Sequence, residues 1–171
     1  GLFVQGVQTT LTNVQILSNV ASDDGAGIFL ANYRPARLTG CTINLNQAGG
    51  SGGGIYMSNA DAVITRCDLS MNHAEGNGAG LYVASGGLAM LINTQVSVNT
   101  ALGNGGGVYV DYGFLTLTNA TIAFNVATLG GGLYVDGDGL TIWESGIDDE
   151  LDIVESGLDG MDPDSLLLER T

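Results

Sequence analysis

Residues 105–110 read Gly105-Gly106-Gly107-Val108-Tyr109-Val110, three glycines ahead of an aliphatic–aromatic–aliphatic triplet. A stretch of this kind has two readings: a backbone cradle for phosphate, or a tight corner that feeds a strand. The rest of the chain separates them, because the pattern recurs. It returns as Gly1-Leu2-Phe3-Val4, Gly27-Ile28-Phe29-Leu30, Gly54-Ile55-Tyr56-Met57, Gly80-Leu81-Tyr82-Val83 and Gly132-Leu133-Tyr134-Val135, with steps of 26, 27, 26, 27 and 25 residues through the series. A single phosphate-binding loop would not be copied six times, so the stretch reads as a corner and the start of a strand.

Other positions run in phase with the glycines. Asn19, Asn46, Asn72, Asn99 and Asn125 form one series, and an alanine follows two residues after each (Ala21, Ala48, Ala74, Ala101, Ala127). Ile16, Ile43, Leu69, Val96 and Ile122 precede the asparagines by three residues, and Leu11, Leu38, Ile64, Leu91 and Leu117 by eight. Within each copy apolar and polar positions alternate over short spans, which is strand periodicity. Gly, Asn and Ser clusters punctuate the spans about every eight residues, where turns belong. Three short strands in each repeat describe a coil. Coils stacked about 4.8 Å apart would form parallel sheets, with like side chains superposed in one core. The asparagines are expected at the corners in left-handed conformation, each amide bonding to the next coil's.

Composition agrees with a folded β domain. The chain has 171 residues, long enough for one core. With 28 Gly, 2 Pro, 44% hydrophobic and 13% charged residues it is too apolar for disorder. Lysine is absent, and the net charge of −14 opposes binding to nucleic acid or anionic lipid. No apolar run approaches the roughly 20 residues of a membrane helix, so no membrane insertion is expected. The sequence carries no initiator Met and no signal-like segment, and reads as a processed or excised piece. Acids concentrate at one end: residues 136–171 hold 12 of the 18.

The glycine motif together with Leu115-Thr116-Leu117-Thr118-Asn119-Ala120-Thr121-Ile122-Ala123-Phe124-Asn125 resembles the right-handed parallel β-helix repeat proteins of bacterial surfaces and secretions. It is also similar to the GGAI and FxxN repeats of chlamydial polymorphic outer-membrane proteins. Two departures stand out: Gly replaces Ala in Gly52-Gly53-Gly54-Ile55, and Ile, Leu or Val replaces Phe three residues before the Asn. The resemblance implies an all-β, right-handed parallel β-helix of about six coils of 25–27 residues. It extends over residues 1–145, with an acidic tail over 146–171 that is expected to cap it. It implies little about activity, because one fold hosts many functions.

Alternation places the aromatic of each triplet on the outside. Phe3, Phe29, Tyr56, Tyr82, Tyr109 and Tyr134 should therefore form an exterior column, either self-stacking for stability or offering a ridge to a partner or to sugar rings. Thr12, Thr39, Thr65 and Thr118 form a second outward line interrupted by Ile92, too irregular for an ice-binding array. Cys41 and Cys67 fall at one inward place in neighbouring coils, among Val14, Thr94 and Ala120. Packed free thiols are expected there, with a disulfide as the alternative. His73, the one histidine, reads as a surface residue.

A polysaccharide-cleaving site would need acids converging on one face. Asp23, Asp24, Asp61, Asp68, Glu75 and Asp111 fall at different places on different coils, so no catalytic set is expected. In the tail, Asp159, Asp162 and Asp164 form a weak calcium candidate, and no other cofactor is indicated. At the other end Gly1-Leu2-Phe3-Val4 begins in register, so either further coils precede it or another chain stacks there. The expectation is a non-catalytic structural or adhesive protein, extracellular or on the cell surface. It would self-associate end to end, or form part of a longer surface protein that meets others. The alternative is a β-helix that binds or degrades polysaccharide.

Overall fold

The computed structural model describes residues 1–31, 34–84, 86–137 and 139–147, and the backbone of the strand Leu151–Val154. The chain winds as a parallel β-solenoid, with no helix among the described residues. The second turn illustrates the circuit: strands Ile28–Ala31, Ala36–Thr39, Thr42–Asn44 and Gln47–Ala48 follow one another around four sides. Equivalent strands of successive turns pair side by side, giving parallel sheets of seven, six, six and four strands. Register follows the repeat, as in Tyr56↔Tyr82, Leu38↔Ile64, Leu69↔Val96 and Ala48↔Ala74.

There are about five full turns and a short sixth, where the repeat length implied six equal ones. The chain returns to the first sheet at Leu151↔Leu133, 18 residues on, and no fourth-sheet strand occurs there among the described residues. Parallel pairing also runs past residue 145, where the tail was expected to begin, through Gly146–Ile147 and Leu151–Val154.

Alternation on three sides sends rows of aliphatics inward, two rows from each of the first and second sheets and one from the third. Ile28, Ile55, Leu81, Val108 and Leu133 superpose along the first sheet, and Leu38, Ile64, Leu91 and Leu117 along the second. Ile43, Leu69, Val96 and Ile122 close the core from the third. The fourth side is lined by alanines, Ala48, Ala74 and Ala101, all buried.

One polar column enters this interior. Asn46, Asn72, Asn99 and Asn125 are buried at the corner between the third and fourth sheets. The Oδ1 of Asn72 accepts from the backbone N–H and the Nδ2 of Asn46, each at 3.0 Å. Its own Nδ2 donates to Asn99 Oδ1 at 3.1 Å and to the Ile43 carbonyl at 2.8 Å. Each amide thus uses both hydrogens and both lone pairs, which is what lets it remain buried.

The left-handed residue at this corner is not the asparagine, contrary to expectation. It is the residue before it: Ser18, Leu45, Met71, Val98 and Phe124 have φ of 56°, 61°, 55°, 57° and 59°. Bending one residue early turns the Asn side chain inward, so its amide serves as a cross-link.

The glycines of the opening stretch can now be separated. Gly105 takes φ +63°, a conformation that costs other residues roughly 1–2 kcal/mol. Gly107 is required for space: a Cβ there would lie 2.5 Å from the Gly132 carbonyl oxygen and 2.9 Å from Asn125 Nδ2. Gly27, Gly54 and Gly80 meet Asn46, Asn72 and Asn99 in the same way. The two in-phase series are therefore one device, in which the amide ladder packs against a glycine floor.

Replacing Asn72 by Ala leaves the Asn46 N–H, the Asn46 amide and the Ile43 carbonyl without their buried partner. At no less than ~1 kcal/mol for each of the three orphaned groups, a loss of roughly 3 kcal/mol or more is expected in denaturant unfolding. Asn19→Ala, at the partly exposed first rung, should cost under ~1 kcal/mol. Equal losses at the two rungs would show that the ladder does not carry this stability.

Candidate functional site

The six aromatics assemble as one column on the first sheet. Ring centroids from Phe3 to Phe29, Tyr56, Tyr82, Tyr109 and Tyr134 are 5.2, 4.9, 4.8, 5.1 and 4.9 Å apart. The tyrosine rings lie within 6° of parallel. Strand spacing sets this separation, since in-register parallel strands place equivalent side chains one rung apart. The faces of the inner rings are therefore covered by their neighbours, and those rings turn their edges to the solvent, while Phe3 at the end is 63% exposed. Tyr134 is only 8% exposed. Self-stacking, one of the two readings of the column, is seen between every neighbouring pair of its rings.

Acids gather beside the phenols. The Tyr82 hydroxyl donates to Asp111 Oδ2 at 3.0 Å. Asp111 and Asp136 are in-register partners on adjacent strands, each two residues after its tyrosine. Asp136 Oδ1 is buried and has no hydrogen-bond partner among the described residues. This pair escaped the sequence reading because Asp136 was assigned to the acidic end of the chain. The repeated Tyr-Val-Asp of Tyr109–Asp111 and Tyr134–Asp136 was the signal that could have found it.

Two effects suppress ionisation of the phenols. Burial pushes the Tyr109 hydroxyl up to about 12, helped by the charge of Asp111. Tyr82 is raised further, by burial first and then by the carboxylate it donates to. Tyr56 is raised by burial and by Asp24. Tyr56, Tyr82 and Tyr109 are thus held in the neutral form, and the Tyr82 hydroxyl donates to Asp111. Asp111 and Asp136 are paired in register across one strand spacing, and Asp111 turns one oxygen to Tyr82 on the strand at its other side. Tyr82, Asp111 and Asp136 thus form one polar cluster on the first sheet.

The remaining candidates have structural work. Asp24 Oδ1 accepts from Ser51 N at 2.6 Å, Ser51 Oγ from Asn77 N at 3.0 Å, and Asn77 Oδ1 from Asn104 N at 2.7 Å. This is a second ladder, built from mixed residue types. Cys41 and Cys67 are buried free thiols. Cys67 Sγ accepts from Cys41 N at 3.3 Å, as Thr94 Oγ accepts from Cys67 N one turn on. The cysteines therefore act as acceptors in a column shared with a threonine, and burial pushes the Cys67 thiol up to about 11. Thr12, Thr39, Thr65, Ile92 and Thr118 align as read. Among the described residues no three His, Cys, Asp or Glu side chains are placed to hold a metal ion, and no helix is long and apolar enough to cross a membrane. The calcium candidate Asp159, Asp162 and Asp164 lies outside the described residues.

A family model described as a right handed beta helix region matches residues 1–149. No curated protein and no solved structure matches the chain.

The raised phenols give a pH dependence. Their contribution to stability is fully present below the ordinary tyrosine value near 10 and is lost as pH rises through the folded value. Absorbance at 295 nm should show the column ionising only as pH approaches about 12, together with loss of the β-sheet circular dichroism. Ionisation of all tyrosines near pH 10 in folded protein would contradict the buried, acid-flanked column.

Proposed function

This chain belongs to the right-handed β-helix family, and we propose that it serves as a non-catalytic structural or adhesive solenoid of an extracellular or cell-surface protein. The observation that carries the reading is the uniformity of the stack. Turns of 25–27 residues pair in register on every side, so the molecule is a stiff rod with repeated faces. Its largest aromatic feature is consumed by self-stacking, which serves rigidity. The net charge of −14 disfavours nucleic acid and anionic membranes as partners and leaves proteins; end-to-end stacking of further copies would have to overcome the chain's own charge.

A second reading is supported by one specific feature. Asp111 and Asp136 stand in register beside the phenol edges, where hydroxyls and carboxylates could meet a polysaccharide laid along the rod. In that reading the sugar is held by hydrogen bonds to the column's edge, since the ring faces are covered.

Incubation with a panel of neutral, acidic and amino polysaccharides separates the two. The rod reading expects no release of reducing ends and no glycan-array signal that depends on Tyr82 or Tyr109. Release of reducing ends that disappears in Asp136→Asn, while the variant keeps its β-sheet spectrum, would overturn it in favour of a hydrolase.

A further inference from the structure

Tyr82 differs from its neighbours in the aromatic column in one respect. Its hydroxyl donates to Asp111 Oδ2 at 3.0 Å, whereas the hydroxyls of Tyr56 and Tyr109, one turn away on either side, make no hydrogen bond to a described residue. The stack does not need that bond. Tyr82 lies 4.8 Å from Tyr56 and 5.1 Å from Tyr109, and Tyr109 stacks just as well on Tyr134, at 4.9 Å, with no carboxylate on its hydroxyl. Nor does the winding of the chain call for an acid at this place. The register position that holds Asp111 is filled by Gln5, Ala31 and Ser58 in the first three turns.

A phenol bonded to a carboxylate is matched to one reaction that an isolated phenol performs poorly: loss of an electron together with the hydroxyl proton. Removing an electron from a neutral phenol makes its hydroxyl a strong acid, and a positioned acceptor takes the proton without waiting for water. The surroundings favour both halves of the step. Asp111 acts on Tyr82 as a negative charge, as Asp111 and Asp136 do on Tyr109, and negative charge beside a ring favours its electron-poor state. Tyr56 and Tyr109 cover both faces of the Tyr82 ring, lying 3° and 6° from parallel with it. The ring is thereby held against its acceptor, and its faces are closed to reagents from solution.

We propose that Tyr82 is a redox-active tyrosine with Asp111 as its proton acceptor, oxidised by one-electron oxidants that reach the edge of the column from solution. An electron leaves the ring for the oxidant, the O–H bond breaks, and the proton passes to Asp111 Oδ2. The products are the reduced oxidant, a neutral phenoxyl radical and a carboxylic acid that donates back to the phenoxyl oxygen. A one-electron reductant reverses the step. This activity is independent of the rod reading, and gives a chemical role to a column that otherwise serves rigidity.

The test is laser flash oxidation of the 171-residue chain with photogenerated tris(bipyridine)ruthenium(III), followed by tyrosyl-radical absorption and electron paramagnetic resonance. Tyr82→Phe keeps a stacking ring and should remove most of the long-lived tyrosyl signal, whereas Tyr112→Phe, at an exposed bend, should not. Asp111→Asn should slow radical formation ~10-fold or more. It should also make the rate rise with the concentration of buffer base, to which the parent is insensitive. A merely structural role for Asp111 would not produce that response. All variants are compared at an unchanged β-sheet circular dichroism spectrum. A radical that Tyr82→Phe leaves in place, whether on Tyr112 or Trp143, overturns the proposal. So do equal rates in the parent and Asp111→Asn, or a parent that yields no tyrosyl radical.

Discussion

A buried amide that must find four partners sets the register of this molecule. In a parallel stack each turn could slide on its neighbour and still bury aliphatic surface, because Ile, Leu and Val are interchangeable in outline. The asparagine column removes that freedom. Asn72 is satisfied only when Asn46 lies on one side, Asn99 on the other and the Ile43 carbonyl within reach. A slip by one residue would leave these groups orphaned in the core and turn every side chain to the opposite face. The glycines follow from the same constraint, since the ladder occupies the space a Cβ would take at Gly54, Gly80 or Gly107. The hydrophobic rows supply the bulk of the stability, and the amides choose the one alignment in which it is realised.

That alignment decides what the surface can do. Once turns are in register, like side chains must stand over like, so each outward position becomes a column and its character is amplified. Aromatics spaced at one rung stack face to face and lose their faces to each other. Acids at one position, as with Asp111 and Asp136, fall in register on adjacent strands, with a phenol of the column bonded to one of them. Apolar residues at one bend become a continuous ridge. Surface function in such a molecule belongs to columns, and an isolated residue type says little until its neighbours one turn away are known.

The core side of this organisation was legible in the sequence. Spacing of 25–27 residues, the in-phase Gly, Asn and Ala series and the period-two alternation all survive in the fold, because parallel stacking maps sequence repeat directly onto spatial contact. The aromatic column was legible for the same reason. Features depending on which residue of a corner bends, or on where the last turn closes, were not. Asparagine's tolerance of positive φ pointed to the wrong residue by one position, since propensity does not record that its amide is needed inside. The second ladder through Asp24, Ser51, Asn77 and Asn104 was hidden because three residue types do one job.

The sequence by itself thus determined a parallel stack, its period and its inward rows, because these depend only on a repeat and an alternation. Tertiary structure alone decided that the ring faces are spent on one another, that Asp136 joins Asp111, and that the strained bends carry exposed apolar side chains. Those depend on distances across the rungs and on backbone angles at single residues, neither of which a pattern of residue types encodes.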